Sequence, residues 1–293
     1  MTSRVFYHHP DDKQFSFDFV NPDFEAIGKR VVNYESQKSV KVEEYDLNQT
    51  VYVVYTAVGA SGDADAIEYD LVDRISSMKS ANDVIATRYV NVFKTVLKEN
   101  FEEEGKRIKA YKDIVAEDIE PALDQVDWNG TATEVAGRLA SNLILKHALP
   151  NANHRTAIGM CQLYLRRIAP DFSMPNTARQ MDGGNEYAWM EWVNEYIKES
   201  KRLLTVRRKG DRFAHLASFG CDVLERKHGI EIHLDEYDLS LPPSERWRHY
   251  AEEHEELWIR FTEDAVRRSG HQELIDKPGL TKHEFADDLK QLQ

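Results

Sequence analysis

The sequence predicts a mainly α-helical protein with a small β element at its N-terminus and a helical extension at its C-terminus. Two changes of pattern carry this prediction. Up to residue 57, β-branched and aromatic residues alternate with polar ones, which is typical of strands. From Asp63 onwards, apolar residues recur three and four positions apart, which is typical of amphipathic helices. We therefore divide the chain into residues 1–62, 63–205 and 206–293.

The N-terminal segment contains two strand-like patterns. The first consists of phenylalanines that alternate with polar residues, namely Phe15, Phe17 and Phe19. Further along, Val40 and Val42 alternate with polar residues, and Val51 begins a β-branched and aromatic run. Because the Asn48-Gln49 dipeptide can turn between them, we expect a β-hairpin over residues 39–57.

Three apolar stripes predict helices between residues 63 and 120. They are Ile67, Leu71, Ile75 and Met78, then Ile85, Tyr89, Val92 and Val96, then Ile108, Tyr111, Val115 and Ile119. Pro121 should end the third helix, because proline has no N–H to donate.

The next two helices have clear start and stop signals. Thr131 and Glu134 have the spacing of a capping box, so a helix should begin there. Its inward face should carry Ala136, Leu139, Ala140 and Leu143. Pro150 disfavours the helical conformation in the residue before it, which places the helix end near His147. Another helix should begin near Asn153.

The last third of the chain is also predicted to be mainly helical. A loop over residues 170–185 should precede a helix along which lie Trp189, Trp192, Val193 and Tyr196. We interpret the basic run from Lys201 to Arg212 as a solvated helix end and linker. A long helix should then cover Ser244 to Arg268.

Charge and composition exclude several classes of protein. The chain has 51 acidic and 38 basic residues and a net charge of −13, which argues against duplex DNA as the main partner. Only two cysteines are present, far apart, which fits a reducing compartment. The sequence has no signal-peptide pattern and no apolar run long enough to span a membrane. We therefore expect a soluble, cytoplasmic protein.

The segment between the two capped helices has the residues that phosphate chemistry needs. His147 could accept a proton from an attacking hydroxyl. The N-terminus of the second helix offers unpaired backbone N–H groups, which suit a phosphate. Asn153 can add an amide and Arg155 a guanidinium fork for phosphate oxygens. Base, anion site and arginine therefore lie within a few consecutive residues, a combination suited to phosphoryl transfer.

This segment resembles the signature of the Fic/Doc family, and it is closest to the Doc branch, H-x-F-x-[DN]-A-N-K-R-T-A. The matching residues are His147, Ala152, Asn153, Arg155, Thr156 and Ala157. The resemblance implies a Fic-like helical core, ATP or another nucleotide as donor, and His147 and Arg155 as catalytic residues. It also implies that residues 151–155, including His154, bind the nucleotide phosphates.

Departures from the family pattern affect the metal and the transferred group. Asn151 stands where relatives usually carry an acidic Mg²⁺ ligand, so we expect weak metal binding by the protein, or none, with Mg²⁺ arriving on the nucleotide. His154 replaces a lysine, which makes that positive charge dependent on pH. Ile158 replaces the second arginine of the members that transfer AMP, and this favours phosphate transfer. Leu149 replaces a phenylalanine, a tolerable change for a core residue.

The resemblance implies a protein kinase of the Doc type that modifies a Ser, Thr or Tyr hydroxyl. It further implies a toxin role, a translation factor as a candidate target and an antitoxin as a candidate partner. Two alternatives stay open, namely AMP or nucleotidyl transfer, and an inactive relative that binds protein or nucleotide. The stretch from Thr95 to Asn100 matches the family's inhibitory-helix pattern, but we interpret it as an ordinary amphipathic helix.

Overall fold

The computed structural model describes residues 3–32, 34, 39–57, 62–64, 71–180 and 187–291. Helices dominate these ranges, as predicted. They are α1 (Phe24–Val32), α2 (Leu71–Ser76), α3 (Ser80–Glu104), α4 (Ile119–Asp124), α5 (Ala132–Lys146), α6 (Asn153–Ile168), α7 (Glu191–Ser218), α8 (Pro243–Arg268) and α9 (Lys282–Lys290). No helix in the described ranges is long and apolar enough to cross a membrane.

The strands are short and form four small sheets. They are β1 (Arg4–Phe6), β2 (Ser16–Asn21), β3 (Ser39–Asp46), β4 (Thr50–Ala57), β5 (Gly62–Asp63), β6 (Lys109–Ala110), β7 (Ala178–Gln180), β8 (Tyr187–Trp189), β9 (Val223–Arg226) and β10 (Ile230–His233). The sheet orders are β1-β9-β10, β2-β4-β3, β5-β6 and β7-β8. Among the described strands, only the pairing of β1 with β9 is parallel.

The chain forms two compact units, and neither is continuous in sequence. Unit 1 comprises residues 1–59 and 198–252, and unit 2 comprises residues 60–197 and 253–293. This grouping differs from the three consecutive segments that the sequence suggested. The physical reason in unit 1 is strand pairing, because β1 hydrogen-bonds to β9, more than 200 residues later.

The predicted hairpin is confirmed in unit 1, where β3 and β4 pair antiparallel with Ser39 opposite Ala57. The alternation predicted for β2 is interrupted. A bulge between Phe17 and Phe19 shifts the register, so Phe17 and Asp18 are both buried. Asp18 is compensated by hydrogen bonds from Tyr34 and Arg212, and this pairing holds the pKa of its carboxyl below the usual value.

The third predicted helix, over residues 108–119, was wrong. Gly105 ends α3 in the left-handed conformation (φ 66°), which starts a new chain direction. Tyr111 and Val115 then donate backbone N–H groups to the carbonyls of Pro150 and Ala148. The apolar repeat is therefore non-helical from Ile108 to Val115, and its last residue, Ile119, begins α4. Pro121 lies in the first turn of α4 rather than at a helix end, a position where its missing N–H costs little.

Two further predictions, for Trp189 and for the basic run, need correction. One residue of the first predicted helical stripe lies outside the described residues. Trp189 is the last residue of β8 and not part of the following helix. The basic run from Lys201 to Arg212 is not a helix end and linker, because α7 continues through it to Ser218. Apolar residues of α7 in and next to this stretch, including Val206 and Phe213, are buried, and their packing stabilises the helix. Ile67 is among the residues that the structure does not describe.

The helices α5 and α6 form the centre of unit 2, and both boundaries agree with the prediction. The predicted inward residues of α5 are all at most 1% exposed, namely Ala136, Leu139, Ala140 and Leu143. At Gly137, α5 comes so close to α8 that a Cβ atom would lie 2.5 Å from the Ile259 Cα and 2.6 Å from the Ile259 N. Only glycine permits this approach of two backbones.

We expect Gly137→Ala to destabilise the protein by about 1–3 kcal/mol, because the added methyl group forces α5 and α8 apart. Gly28→Ala is the matched control, since Gly28 lies in α1 and a methyl group added there would have nothing within 4 Å. That change should be neutral or stabilise by up to about 1 kcal/mol through helix propensity. Denaturant unfolding of the full chain measures both, and equal effects would contradict the close approach at Gly137.

Candidate functional site

The helix α5 carries His147 at its C-terminal end. The N-terminus of α5 is fixed by a capping box in which Thr131 and Glu134 cap each other's backbone. At the other end His147 adopts the left-handed conformation (φ 53°, ψ 43°) and donates its backbone N–H to the Leu143 carbonyl. The Lys112 ammonium donates to the His147 carbonyl. The half-buried imidazole therefore extends from a backbone that is held on both sides.

The loop between α5 and α6 is held closed by the side chain of Asn153, which is buried. Its Oδ1 accepts the Leu149 backbone N–H at 3.2 Å, and its Nδ2 donates to the Leu149 carbonyl at 3.1 Å. A longer bond of 3.4 Å runs from Nδ2 to the Asn151 carbonyl. The amide that the sequence assigned to phosphate is thus used to shape the loop. These hydrogen bonds hold the loop backbone at Leu149 and Asn151.

Asn151 is also engaged within the protein. Its Oδ1 accepts the Ala152 backbone N–H at 2.7 Å, and its Nδ2 donates to the Lys109 carbonyl at 2.9 Å. A neutral oxygen that already accepts a hydrogen bond is a poor ligand for Mg²⁺, which prefers anionic oxygens. Asn151 therefore fits a loop anchor better than a metal ligand.

The first turn of α6 faces the end of this loop. Ala152 is the N-cap, in a left-handed conformation (φ 54°), and it provides no side-chain hydrogen bond. The early N–H groups of a helix have no acceptor within the helix, and they lie at its positive end. Thr156 bonds back to the Ala152 carbonyl through both its N–H and its hydroxyl, each at 3.0 Å. The first turn of α6 is therefore held in place, and its backbone N–H groups can bind an anion.

Arg155 leaves the first turn of α6 and is held by residues of α3. Its Nη1 donates to the Asn100 Oδ1 at 2.6 Å, and its Nη2 lies 3.8 Å from the Glu104 carboxylate. The guanidinium also lies over the Trp189 ring, 5.8 Å from its centroid. The half-buried guanidinium is therefore oriented before any ligand binds, which lowers the entropic cost of binding a phosphate.

The His154 ring lies near the ring of Trp258, a core residue that hydrogen-bonds to His254. Its ring centroid is 6.0 Å from that of buried Trp258. Trp258 Nε1 can only donate, so His254 Nε2 accepts its proton at 3.2 Å. In the neutral ring, His254 Nδ1 must then donate to the Ser141 hydroxyl at 2.7 Å. Ser141 is an acceptor in this arrangement, so the pair does not form an activated serine nucleophile.

Several of these residues were not identified from the sequence. Asn100, Glu104, Lys112 and Trp189 reach the motif from elsewhere in the chain, and only Asn100 had a signal, as the last residue of the pattern that begins at Thr95. The whole pattern lies in α3, as expected. Glu99 is exposed, and its pKa is raised by partial burial and by Glu103 and Glu102, while Arg155 opposes the shift. The end of α3 is therefore an acidic neighbour of Arg155.

These contacts show which parts of a nucleotide with its magnesium ion the site residues could hold. The α6 N-terminus and Arg155 provide donors and positive charge that match phosphate oxygens. By contrast, Asn151 offers no free anionic oxygen to hold Mg²⁺. The residues fit a phosphate group well and a protein-bound magnesium ion poorly.

Comparison with known proteins gives one match. The model of DUF8172, described as a family of unknown function, matches residues 1–293. No curated protein and no solved structure matches the chain. Because the family model covers the whole chain, the protein belongs to the DUF8172 family.

Proposed function

We propose that this protein is a nucleotide-dependent transferase of the Fic/Doc type that phosphorylates a hydroxyl group on another protein. The observation that carries the proposal is the arrangement around α6. A histidine in a fixed left-handed conformation ends α5, a short closed loop follows, and an oriented arginine leaves the first turn of α6. A Fic-like helical core is part of the same proposal.

In the proposed reaction His147 removes the proton from a Ser, Thr or Tyr hydroxyl of the target. The hydroxyl oxygen bonds to the γ-phosphorus of ATP, the bond from that phosphorus to the β–γ bridging oxygen breaks, and ADP leaves. The α6 N–H groups and Arg155 stabilise the charge on the phosphate oxygens. Magnesium would enter with the nucleotide and supply further charge neutralisation.

The position of Ile158 supports phosphate transfer over AMP transfer. Ile158 is only 6% exposed and lies on the buried face of α6. The second cation that the AMP-transferring relatives use is therefore missing, and the apolar surroundings would not accept one without cost. The resemblance adds a translation factor as candidate target and an antitoxin as candidate partner, in the cytoplasm.

The engagement of Asn151 favours a second candidate, an inactive relative that binds nucleotide without transfer. With both amide atoms bonded to backbone groups, Asn151 contributes no charged ligand to a metal. Such a protein would still bind the phosphates of a nucleotide at α6. The two candidates differ in whether any covalent product forms.

Radiolabelled ATP separates these candidates. The protein is incubated with a lysate of its host and either γ-labelled or α-labelled ATP, and labelled proteins are analysed by mass spectrometry. We expect label from the γ-position only, with a phosphate-sized mass increment on the modified protein. Label from the α-position would replace the proposal with AMP transfer. No label from either, together with calorimetric binding of a non-hydrolysable ATP analogue, would favour the inactive relative.

A further inference from the structure

Unit 1 contains a second concentration of positive charge that the proposed function does not use. It comes from three separate stretches of chain: the segment between β1 and β2, the helix α7, and the turn between β9 and β10. We call Lys13, Lys201, Arg226 and Lys227 the cationic cluster. His8 and His228 belong to the same surroundings, and the lowered pKa of each imidazole keeps it mainly neutral near neutral pH. All of them belong to unit 1.

Arg226 is the centre of this cluster. Its Nη1 donates to the Lys201 carbonyl at 2.6 Å and to the Thr205 hydroxyl. The guanidinium lies over the Tyr7 ring, 5.1 Å from its centroid. Its Nε is buried and has no hydrogen-bond partner within the described ranges. A buried donor without an acceptor is costly unless a ligand supplies one.

The cluster lacks the carboxylates that would normally balance it. Within the described ranges, Lys201, Arg226 and Lys227 form no ion pair with an Asp or Glu side chain. Two acidic residues adjacent to cluster members in sequence form ion pairs with other cations, because Glu225 pairs with Arg4 at 2.7 Å and Asp12 pairs with Lys41 at 3.3 Å. In a protein with a net charge of −13, such a local excess of cations is unexpected.

Burial and the neighbouring cations lower the pKa values of these groups. Burial and the Arg226 guanidinium lower the pKa of Lys201 to about 8. Burial, Lys227 and Arg226 lower the pKa of His8 to about 3. The pKa of Lys227 is likewise lowered by burial, Arg226 and Lys13, with Asp12 opposing the shift. A nearby anion would favour the protonated, positively charged form of each of these groups.

We propose that the cationic cluster binds a small phosphorylated ligand. Phosphate groups match the chemistry because they carry more than one charge and accept several hydrogen bonds, which suits an arginine with an unpaired Nε and a neighbouring lysine. A small ligand fits better than a nucleic acid, because Lys201 and Arg226 are half-buried. In addition, the acidic protein repels a long phosphate backbone. The site is independent of the α6 N-terminus, and it would stand if the proposed transfer did not occur.

Calorimetric titration of the full chain with inorganic pyrophosphate tests this proposal at low ionic strength. We expect saturable binding that Lys201→Gln and Lys227→Gln each weaken by roughly tenfold or more. Lys29→Gln is the matched control. It removes the same charge from an exposed position of α1 in the same unit, and it should change the affinity by less than about twofold. Thermal unfolding verifies that each variant folds. If Lys201→Gln does not fold, Lys227→Gln decides.

Repeating the titration in Arg155→Gln separates the two phosphate sites. The binding that depends on Lys201 should persist in that background. The proposal is overturned if the wild type shows no saturable binding, or if Lys29→Gln weakens binding as much as the cluster variants do. A single-stranded RNA oligonucleotide provides the last arm. If it binds through Lys201 and pyrophosphate does not displace it, the cluster is a nucleic-acid site instead.

Discussion

Replacing His147 with alanine should reduce transfer to the target by about 10²–10⁴-fold, because His147 is the group that removes the hydroxyl proton in the proposed mechanism. The reaction needs a group that removes the hydroxyl proton as the oxygen attacks phosphorus. His147 ends α5 immediately before the loop that leads to the anion-binding turn. Incorporation of γ-labelled phosphate into the target measures the loss.

The conformation of His147 requires a second variant as a control. Its φ of 53° lies in the left-handed region, where alanine costs about 1–2 kcal/mol and asparagine is better tolerated. His147→Asn therefore keeps the helix end and removes the base. Both variants should show this loss of transfer, and His147→Asn should unfold at nearly the wild-type temperature. Normal transfer by His147→Asn would show that His147 is not the base.

Local signals explain why much of the fold could be predicted. The capping box of Thr131 and Glu134, Pro150 and the apolar face of α5 all lie within a few residues of the boundaries that they determine. The β3–β4 hairpin is similarly local. By contrast, β1 pairs with β9 across more than 200 residues of the chain, and no local pattern encodes such a partner. Residues 108–119 have a helical repeat of apolar residues, although the backbone N–H groups of Tyr111 and Val115 bond to the segment between α5 and α6.

The candidate site was predictable only where it is continuous in sequence. His147 and residues 151–155 were singled out because they are nearly consecutive and share one chemistry. Asn100 and Lys112 contact this segment from other parts of the chain, and single polar residues at such distances carry no recognisable spacing. The role of Asn153 could not be inferred either, since an amide can bind a ligand or a backbone equally well.

Removing the Asn153 side chain should have the second large effect, on stability and activity together. We expect Asn153→Ala to destabilise the protein by about 2–4 kcal/mol, because the N–H and carbonyl of Leu149 would be left buried without their partner. Leu149 is 0% exposed and Asn153 is 4% exposed, so water cannot readily replace the amide. The loop should then lose its shape, and transfer should fall below detection even in the folded fraction.

Asn153→Asp distinguishes loop closure from direct phosphate binding. The carboxylate keeps the acceptor for the Leu149 N–H but cannot donate to the carbonyls of Leu149 and Asn151. If Asn153 only closes the loop, Asn153→Asp should lie between wild type and Asn153→Ala in stability. Its negative charge, placed in the first turn of α6, should also weaken binding of an ATP analogue, because it competes with phosphate for the helix N-terminus. Thermal unfolding and calorimetry report these two effects separately. Unchanged stability in both variants, with nucleotide binding lost, would assign the amide to the ligand and not to the loop.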